Sequence, residues 1–272
     1  MGIVRNLDLA ALARSFASAE PFPSVCIDDF LDPAFALEVA RSYPTAASQG
    51  RGGRTFDGVN ERKKTQIVDP ALFPAPVARL ADYCSRQEFR DTLSALTGIP
   101  NLLWDQKFVG GGMHQTAAHG LLDVHVDFNR LEGSGWYRRV NLLLYLNEHW
   151  RDEWGGKLEL WDHRVRRCVH TFAPKLNRCV IFATSERSFH GVTACTCPPD
   201  VVRSSFALYY YTKEPPTDGS AAEHSTIFRA RPDEHVKRWV LMPAERLSRA
   251  VRGLRARARE IAARSLGRRA PS

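Results

Sequence analysis

Residues 121–127, Leu-Leu-Asp-Val-His-Val-Asp, read as a single β-strand. His125 and Asp127 are two residues apart, and in a strand that spacing places both side chains on the same face. An imidazole and a carboxylate held side by side supply two of the three protein ligands of a facial metal site. Two histidines and one carboxylate, with the other positions open, are typical of non-haem Fe(II) in enzymes that use O2. The segment therefore predicts a metal site whose third ligand comes from elsewhere.

His190 is the candidate for the third ligand. It follows the apolar segment 179–182, which reads as a strand, and a short polar turn. A jelly roll makes neighbours of strands that are far apart in the sequence, so a histidine well downstream of Asp127 can complete the site. We therefore predict that His125, Asp127 and His190 bind one metal ion.

Strand-like segments dominate the chain after residue 100. Each is bounded by Gly, Pro, Asn or Asp, and they cover residues 102–110, 121–128, 139–146, 157–161, 167–172, 177–183 and 204–212. Because no helical pattern separates them, they predict an antiparallel sandwich or jelly-roll barrel. The earlier residues predict a strand at 24–30, a helix capped by Asp32 with Pro33 in its first turn, and helical periodicity over 70–97. The fold class is mainly β with flanking helices.

We predict one domain over residues 1–272. It comprises an N-terminal strand and helices (1–100), a jelly-roll core with the metal site (101–212), and a C-terminal loop and basic helix (213–272). Residues 48–64 are rich in Gly, Arg, Lys and Asn and contain few apolar residues. That composition predicts a long loop of the kind that covers a site as a lid.

The composition is that of an ordinary globular protein. Hydrophobic residues make up 44% of the 272 residues, and no apolar run is long enough for a transmembrane helix. The N-terminus carries no recognisable secretory signal, so we expect a cytoplasmic protein whose six cysteines are reduced. Cys195-Thr196-Cys197 then reads as two free thiols in a surface loop, since no second cysteine pair lies at zinc-site spacing.

Most of the net charge of +8 lies at the C-terminus. Residues 243–272 contain nine arginines and two glutamates, and an apolar stripe recurs at helical spacing at Leu247, Val251, Leu254, Ala258 and Ile261. This predicts a basic helix that either docks by its stripe or contacts an acidic partner, an anionic membrane surface or nucleic acid. Because the rest of the chain is close to neutral, nucleic-acid binding is not expected to be the main activity.

Arg203 and Tyr145 are candidates for holding an anion beside the metal. Arg203 stands at the entry to the strand 204–212, and a buried arginine that points into a barrel needs an anionic partner. A dicarboxylic cosubstrate supplies one, because guanidinium binds carboxylate in bidentate fashion. Tyr145, on the strand after the first two ligands, can add a phenol hydrogen bond to the same carboxylate.

The order of these motifs resembles the 2-oxoglutarate/Fe(II) oxygenases of the prolyl-4-hydroxylase-like branch. The resemblance covers residues 22–212 and rests on the ordered set His125-x-Asp127, Tyr145-Leu146-Asn147, Trp154-Gly155-Gly156-x-Leu158, His190 and Arg203-x-Ser205. It implies a double-stranded β-helix of the cupin-like jelly-roll type. It also implies that His125, Asp127 and His190 bind Fe(II).

By the same resemblance, Arg203 and Tyr145 hold the distal carboxylate of 2-oxoglutarate. Ser205 belongs to the same motif, and Gln115, ahead of the metal-binding strand, is a candidate contact to cosubstrate or substrate. Gly155-Gly156 would form a tight turn into the next strand. The gap between His190 and Arg203 is longer than in many family members, which makes Arg187 the alternative cation.

The implied activity is hydroxylation of an unactivated C–H bond with O2 and 2-oxoglutarate as cosubstrates and succinate and CO2 as coproducts. The substrate is either a peptidyl residue, prolyl being the best-known case in the family, or a small metabolite or free amino acid. The alternative from another class is a catalytically silent, cupin-like metal-binding module. The intact set His125, Asp127, His190 and Arg203 argues against a silent module.

Overall fold

The structure, a computed structural model, describes residues 2–48, 52–216 and 222–244. The α-helices are α1 (Leu9–Ser18), α2 (Pro33–Arg41), α3 (Ala75–Ser85) and α4 (Gln87–Thr97). The strands are β1 (Ser24–Ile27), β2 (Arg54–Phe56), β3 (Glu61–Ile67), β4 (Leu103–Trp104), β5 (Gly112–Val126), β6 (Tyr137–Tyr145), β7 (Leu158–Trp161), β8 (Cys168–Phe172), β9 (Cys179–Ala183), β10 (His190–Val192), β11 (Arg203–Thr212) and β12 (Ile227–Arg229).

The chain divides into two units, Met1–Arg229 and Ala230–Ser272. All the elements above lie in the first unit, and the second contains a π-helical turn at Lys237–Leu241. The single-domain organisation remains a prediction. The basic helix that the sequence predicts at residues 247–261 lies outside the described residues. None of the described helices is both long and apolar enough to cross a membrane.

The strands form an antiparallel, nearly closed barrel. Their order is β1-β9-β6-β11-β5-β10-β7-β8, and β3 and β12 also pair with β5. Strands distant in sequence lie side by side, since β6 runs between β9 and β11 and β10 runs between β5 and β7. This is the jelly-roll arrangement, and the predicted double-stranded β-helix with N-terminal helices is confirmed.

The long strand β5 connects the two halves of the barrel. Its first part pairs with β11, from Gly112 to Thr116, and its second part pairs with β10 near His125. Between them His119 has φ 62°, a left-handed conformation that interrupts the regular extended backbone. The strand predicted at 121–128 is therefore the second half of a longer strand that begins at Gly112, and it ends at Val126, so that Asp127 directly follows the strand.

The central strands are apolar on both faces because both faces are covered. On β6 and β9, Leu142, Leu144 and Ile181 pack in the cluster that contains the α-helices. Alternate residues of the same strands, Val180 and Phe182 among them, pack inside the barrel. Side chains alternate between the two faces of a strand, so continuous burial gives an unbroken apolar run rather than alternation.

Helix boundaries follow local chemistry. The predicted cap of α2 is confirmed, because Asp32 Oδ1 accepts hydrogen bonds from the backbone N–H groups of Ala34 and Phe35. The helical periodicity over 70–97 is divided between α3 and α4, which meet at Arg86 in an extended conformation. Gly98, with φ 70°, ends α4 in the left-handed conformation that glycine adopts readily.

Residues 48–64 do not form one long loop, so the lid prediction is wrong for most of this segment. β2 and β3 pair as a hairpin, and β3 pairs along β5 between Met113 and Leu122. The β2 side chains and the first half of β3 are largely solvent-accessible. The hairpin therefore lacks the apolar alternation by which a strand is recognised in sequence. Residues 49–51 lie outside the described residues.

The prediction of a surface loop at Cys195 and Cys197 is also wrong. The two residues are 0% and 5% exposed and pack with Ala118, Trp150 and Trp154. Both thiols are free, as predicted. Small buried thiols behave as apolar side chains, which is why spacing alone gave no sign of their burial.

Asn177 fastens the N-terminal segment to the barrel. Its Oδ1 accepts a hydrogen bond from the Leu31 backbone N–H at 2.7 Å, and its Nδ2 donates to the Leu31 carbonyl at 2.9 Å. Both residues are buried. One amide side chain therefore satisfies both backbone groups of a residue that has no access to water.

Asn177→Ala is expected to lower the free energy of unfolding by about 2–5 kcal/mol, because it leaves two buried backbone groups without partners. Urea denaturation followed by circular dichroism measures this loss. Asn6→Ala, at an exposed position, serves as the control and should change stability by less than about 0.5 kcal/mol. A loss below about 1 kcal/mol in Asn177→Ala would show that the two hydrogen bonds between Asn177 and Leu31 contribute little to stability.

Candidate metal and cosubstrate site

His125 and His190 lie directly opposite each other on neighbouring antiparallel strands. The register of β5 and β10 pairs the two residues, and their ring centroids are 4.3 Å apart. Both are almost fully buried. Directly opposed residues of an antiparallel pair project from the same face of the sheet. The pairing therefore brings together two imidazoles that are far apart in the sequence.

The two rings are oriented in the same way. His125 Nδ1 lies 2.8 Å from the carbonyl oxygen of Asp123, and His190 Nδ1 lies 2.9 Å from that of Ser188. A carbonyl oxygen only accepts hydrogen bonds, so in each ring Nδ1 carries the proton. The unprotonated Nε2 atoms then face the interior, which is the tautomer that binds a metal.

Asp127 completes the cluster. Its Oδ1 is 3.5 Å from His125 Nε2 and its Oδ2 is 3.5 Å from His190 Nε2. The potential ligand atoms of the three residues lie within 4.8 Å of one another. Two neutral imidazoles and one carboxylate are the donor set that suits non-haem Fe(II), so the residues present fit this metal.

Arg138 and Asn141, on β6, both contact the Asp127 carboxylate. Arg138 Nη2 is 3.1 Å from Asp127 Oδ2, and Asn141 Nδ2 donates to the same oxygen at 2.8 Å. Arg138 Nε donates to Asn141 Oδ1 at 2.9 Å. The three side chains thus form a closed network that fixes the carboxylate toward the two histidines.

Aromatic rings enclose the Arg138 guanidinium. Its central carbon is 3.4 Å from the ring centroid of Tyr209 and 4.7 Å from that of Phe128, and the side chain is 1% exposed. A guanidinium between two ring faces keeps its charge through cation–π attraction while its edges stay free for hydrogen bonds. Asp127 supplies the counter-charge that such a buried cation requires.

The protonation states of the cluster suit metal binding. Burial alone would raise the pKa of the Asp127 carboxyl. Arg138 and the neighbouring His190 and His125 favour the carboxylate more strongly, so the pKa of Asp127 lies well below its usual range. Burial, together with the neighbouring His125, lowers the pKa of His190 to about 4. At neutral pH the site therefore presents a carboxylate and a neutral His190, the forms that ligate metals.

Arg203 and Tyr145 lie together inside the barrel. The guanidinium carbon of Arg203 is 5.0 Å from the Tyr145 ring centroid, and Arg203 Nε donates to the Gly156 carbonyl at 2.7 Å. Tyr145 Oη is buried beside Arg203, no acceptor for its hydrogen is found within the part of the chain that the structure describes, and burial raises the pKa of Tyr145 to about 12. A protonated phenol that lacks an acceptor, next to an arginine, fits a carboxylate group of a bound molecule.

The Gly155-Gly156 turn makes room for Arg203. Both glycines have positive φ, and a Cβ atom on Gly155 would lie 2.2 Å from the Ala194 carbonyl oxygen. A Cβ atom on Gly156 would lie 3.0 Å from Arg203 Cδ. The predicted tight turn is present, and Gly156 also leaves the space that the arginine side chain occupies.

Ser205 shares a strand face with Arg203, two residues away on β11. The register pairs it with Tyr145 on β6. Asn147 fixes this part of β11, because its Oδ1 accepts from the Ser204 N–H at 2.7 Å and its Nδ2 donates to the Ser204 carbonyl at 3.0 Å. Arg203, Ser205 and Tyr145 therefore lie together in the structure, and their role in binding a cosubstrate stays a prediction.

Gln115 is not brought to this site. It pairs with Ser204 in the register of β5 and β11, while Thr116 pairs with Arg203. Because side chains alternate along a strand, Gln115 faces the other side of the sheet. Its Nε2 donates to the Pro44 carbonyl at 2.6 Å and to Ser204 Oγ at 3.3 Å. The placement does not support a contact of Gln115 with cosubstrate or substrate.

Sequence reasoning missed the role of Arg138 and Asn141 in holding Asp127. Arg138 and Arg139 are adjacent in the sequence and point to opposite sides of the sheet. The register between β6 and β11 shifts between Tyr210 and Tyr211. A shift of this kind reverses which side chains face inward, so counting alternate residues along β6 does not identify the inward arginine.

The comparison with family models agrees with this geometry. The model described as the 2OG-Fe(II) oxygenase superfamily matches residues 111–211. That segment contains His125, Asp127, Tyr145, His190 and Arg203. Residues 111–211 therefore match a superfamily whose members use Fe(II) and 2-oxoglutarate. The match agrees with the family that the sequence motifs predict.

Solved structures share the fold at low sequence identity. A Pseudomonas putida prolyl-4-hydroxylase has 16% identity and a TM-score of 0.52, over 76% of this chain and 100% of its own. A Trichoplax adhaerens prolyl hydroxylase, solved with a hypoxia-inducible-factor peptide, has 17% identity and a TM-score of 0.55, over 75% and 89% of the two chains.

The epimerase SnoN, solved with Fe3+, alpha-ketoglutarate and nogalamycin RO, has 14% identity and a TM-score of 0.50. The match covers 82% of this chain and 98% of SnoN. The search of curated proteins found no match. Prolyl hydroxylases are thus among the structures that share this fold, as the predicted branch implies.

Asp127→Ala is expected to abolish tight binding of Fe(II) or Co(II), because it removes the anionic ligand. It should also lower the free energy of unfolding of the metal-free protein by about 3–5 kcal/mol, since Arg138 is left as an unpaired buried charge. Metal titration and urea denaturation measure the two effects. Asp200→Ala, at an exposed carboxylate, is the control for both.

The double variant Asp127→Ala/Arg138→Met separates the two roles of Asp127. It removes the buried charge together with its partner, so most of the lost stability should return while metal binding stays absent. If Asp127→Ala alone were as stable as the unmodified protein, Asp127 would not be the counter-charge of Arg138.

Proposed function

We propose that this protein is a 2-oxoglutarate- and Fe(II)-dependent dioxygenase that hydroxylates an unactivated C–H bond, with succinate and CO2 as coproducts. One observation carries the proposal: the cluster His125, Asp127 and His190 shares the barrel interior with the buried pair Arg203 and Tyr145. A metal site and a carboxylate site inside one barrel are what a chelating dicarboxylic cosubstrate needs.

Each of these residues has a defined task. His125, Asp127 and His190 would hold Fe(II), and the bound ion would supply the activation of O2. Arg203 pairs with the distal carboxylate of 2-oxoglutarate, and Tyr145 donates its unused hydroxyl hydrogen to the same group.

The walls of the barrel keep water away from the bound molecules. Val180, Phe182, Leu158 and Leu160 pack in one cluster with Tyr145, and all are buried. The Phe182 ring lies 4.8 Å from the ring of His190. A dry, apolar surround strengthens the charged contacts of Arg203 and protects reactive species from side reactions.

Two substrate classes fit the proposed function. One is a small metabolite or amino acid, and the other is a peptidyl residue. The Trichoplax relative, solved with a peptide, supports a peptidyl substrate by analogy of fold. SnoN, solved with nogalamycin RO, supports a small molecule in the same way. The alternative of a silent metal-binding module is less favoured, because it gives no reason for the orphan hydroxyl of Tyr145 beside Arg203.

Anaerobic addition of Fe(II) and then 2-oxoglutarate to the apo protein is expected to produce the visible charge-transfer band of the chelate. His190→Ala should lose the band because it removes a ligand. The titration is followed by absorption spectroscopy, and succinate formation on admitting O2 is measured afterwards. Metal binding without the band would favour the silent module.

Arg203→Ala is expected to weaken 2-oxoglutarate binding by about ten- to a hundredfold, since it removes a charged, bidentate partner. Affinity for Fe(II) should stay unchanged, because Arg203 touches none of the three ligands. Arg187→Ala is the matched control: Arg187 is exposed, and its removal should leave both affinities alone. The reverse pattern would assign the cosubstrate to Arg187.

A further inference from the structure

A small pocket opens beside the metal cluster and is lined in part by Asp127. Ten residues line it: Asp127, Phe128, Asn129, Tyr137, Arg138, Thr184, Ser185, Glu186, Pro216 and His224. The pocket therefore joins the end of β5, the start of β6 and the loop that leads to His190. Neither Arg203 nor Tyr145 lines it, so it is separate from the proposed cosubstrate site.

Arg138 contributes unused hydrogen-bond donors to this pocket. A guanidinium has five N–H donors. Among the described residues, Nε donates to Asn141 and the guanidinium also forms a hydrogen bond with the Tyr209 hydroxyl, while Nη2 lies 3.1 Å from Asp127 Oδ2 without meeting hydrogen-bond geometry. Buried donors without acceptors are costly, and the aromatic rings cover the guanidinium faces rather than its edges.

Thr184 adds a second donor to the pocket. Its Oγ1 is buried and has no hydrogen-bond partner among the residues that the structure describes. Its backbone is fixed, because the Thr184 N–H donates to the Arg139 carbonyl at 2.9 Å. A fixed hydroxyl and a fixed guanidinium in one small pocket form a preorganised site for an oxygen acceptor.

The charges of the loaded site leave room for one more anion. In the metal-free protein the negative charge of Asp127 neutralises the positive charge of Arg138. A bound Fe(II) would share that carboxylate with Arg138. Fe(II), Arg138 and Arg203 together carry four positive charges, while Asp127 and 2-oxoglutarate carry three negative ones. Apart from Glu186, whose carboxylate is already bonded to His224 and Asn129, one positive charge therefore remains among these groups.

We propose that this pocket binds a carboxylate group of the substrate through Arg138 and Thr184, so that the substrate is a small monocarboxylic acid. The inference rests on the proposed function and deepens it by choosing between the two substrate classes. A carboxylate matches the planar edge of a guanidinium and supplies the single negative charge that the loaded site lacks.

The outer wall of the pocket disfavours ligands with more charge. Glu186 lies there, held by His224 Nε2 at 2.7 Å and by Asn129 Nδ2 at 3.2 Å. Its carboxylate repels a second anionic group, which counts against phosphates and dicarboxylates. An internal peptide carbonyl is neutral and would leave the positive charge beside Arg138 unbalanced, which counts against a peptidyl substrate.

The test uses the full-length protein loaded with Ni(II) and 2-oxoglutarate, in which binding is measured without turnover. A panel of small monocarboxylic acids, including the free amino acids, is compared by calorimetry with the matching primary amides. At least one acid is expected to bind, with its amide about tenfold or more weaker, because the amide loses the charged contact.

Variants then locate the carboxylate. Thr184→Val keeps the shape and removes the hydroxyl, so it should weaken the acid about five- to tenfold and leave the amide unchanged. Thr171→Val, at an exposed position, is its control. Arg138→Lys should weaken binding of the acid further. Arg139→Lys is its control and should leave binding of the acid unchanged, because the Arg139 side chain donates to Thr212 instead. Ni(II) affinity is measured for each variant.

Three results would overturn the proposal: equal binding of acids and amides, no effect of Thr184→Val on the tightest acid, or no acid bound while 2-oxoglutarate binds normally. If Arg138→Lys loses Ni(II) binding and acid binding together, the effect on the acid would be assigned to positioning of the metal ligands by Arg138. The result for Thr184→Val would then decide whether the pocket binds the carboxylate. Failure of 2-oxoglutarate to bind the Ni(II)-loaded protein would refute the proposed function itself, and the substrate inference with it.

Discussion

The buried ion pair of Asp127 with Arg138 is the constraint around which the site is arranged. A carboxylate surrounded by apolar walls would be protonated, and an arginine at 1% exposure would be strongly destabilising, if either stood alone. Together they allow an anionic ligand to exist inside the barrel before any metal arrives. Asn141 completes the pair by bonding to both partners, so the carboxylate keeps one orientation toward the histidines.

The barrel makes that arrangement possible by bringing four distant strands together. β5 carries His125 and ends one residue before Asp127, β10 places His190 directly across from His125, and β6 supplies Arg138 and Asn141, which contact the Asp127 carboxylate. β11 then adds Arg203 and Ser205 on the neighbouring edge of β5. The α-helices cover the outer faces of β6, β9 and β11, which leaves the interior for chemistry and keeps the central strands rigid.

The strongest sequence predictions came from residues whose role is set by their immediate neighbours. The His-x-Asp spacing, the Asp32 helix cap and the Gly155-Gly156 turn depend on backbone geometry within a few residues, and the structure contains each of them. The failures had another origin. The hairpin of β2 and β3 is stabilised by pairing with β5 rather than by its own apolar pattern, and Cys195 is covered by Trp150 and Trp154 from another segment.

The sequence by itself predicted the jelly-roll fold and the three residues, His125, Asp127 and His190, whose potential ligand atoms lie together in the structure, because ordered polar residues on apolar strands have few other physical explanations. Only the tertiary structure decided which of two adjacent arginines turns inward. A register shift between β6 and β11 sends Arg138 to Asp127 and Arg139 to Thr212, and no local pattern encodes that shift. Tertiary pairing also turned Gln115 away from the interior. Side-chain direction in a sheet depends on partner strands, and those are chosen by packing of the whole chain.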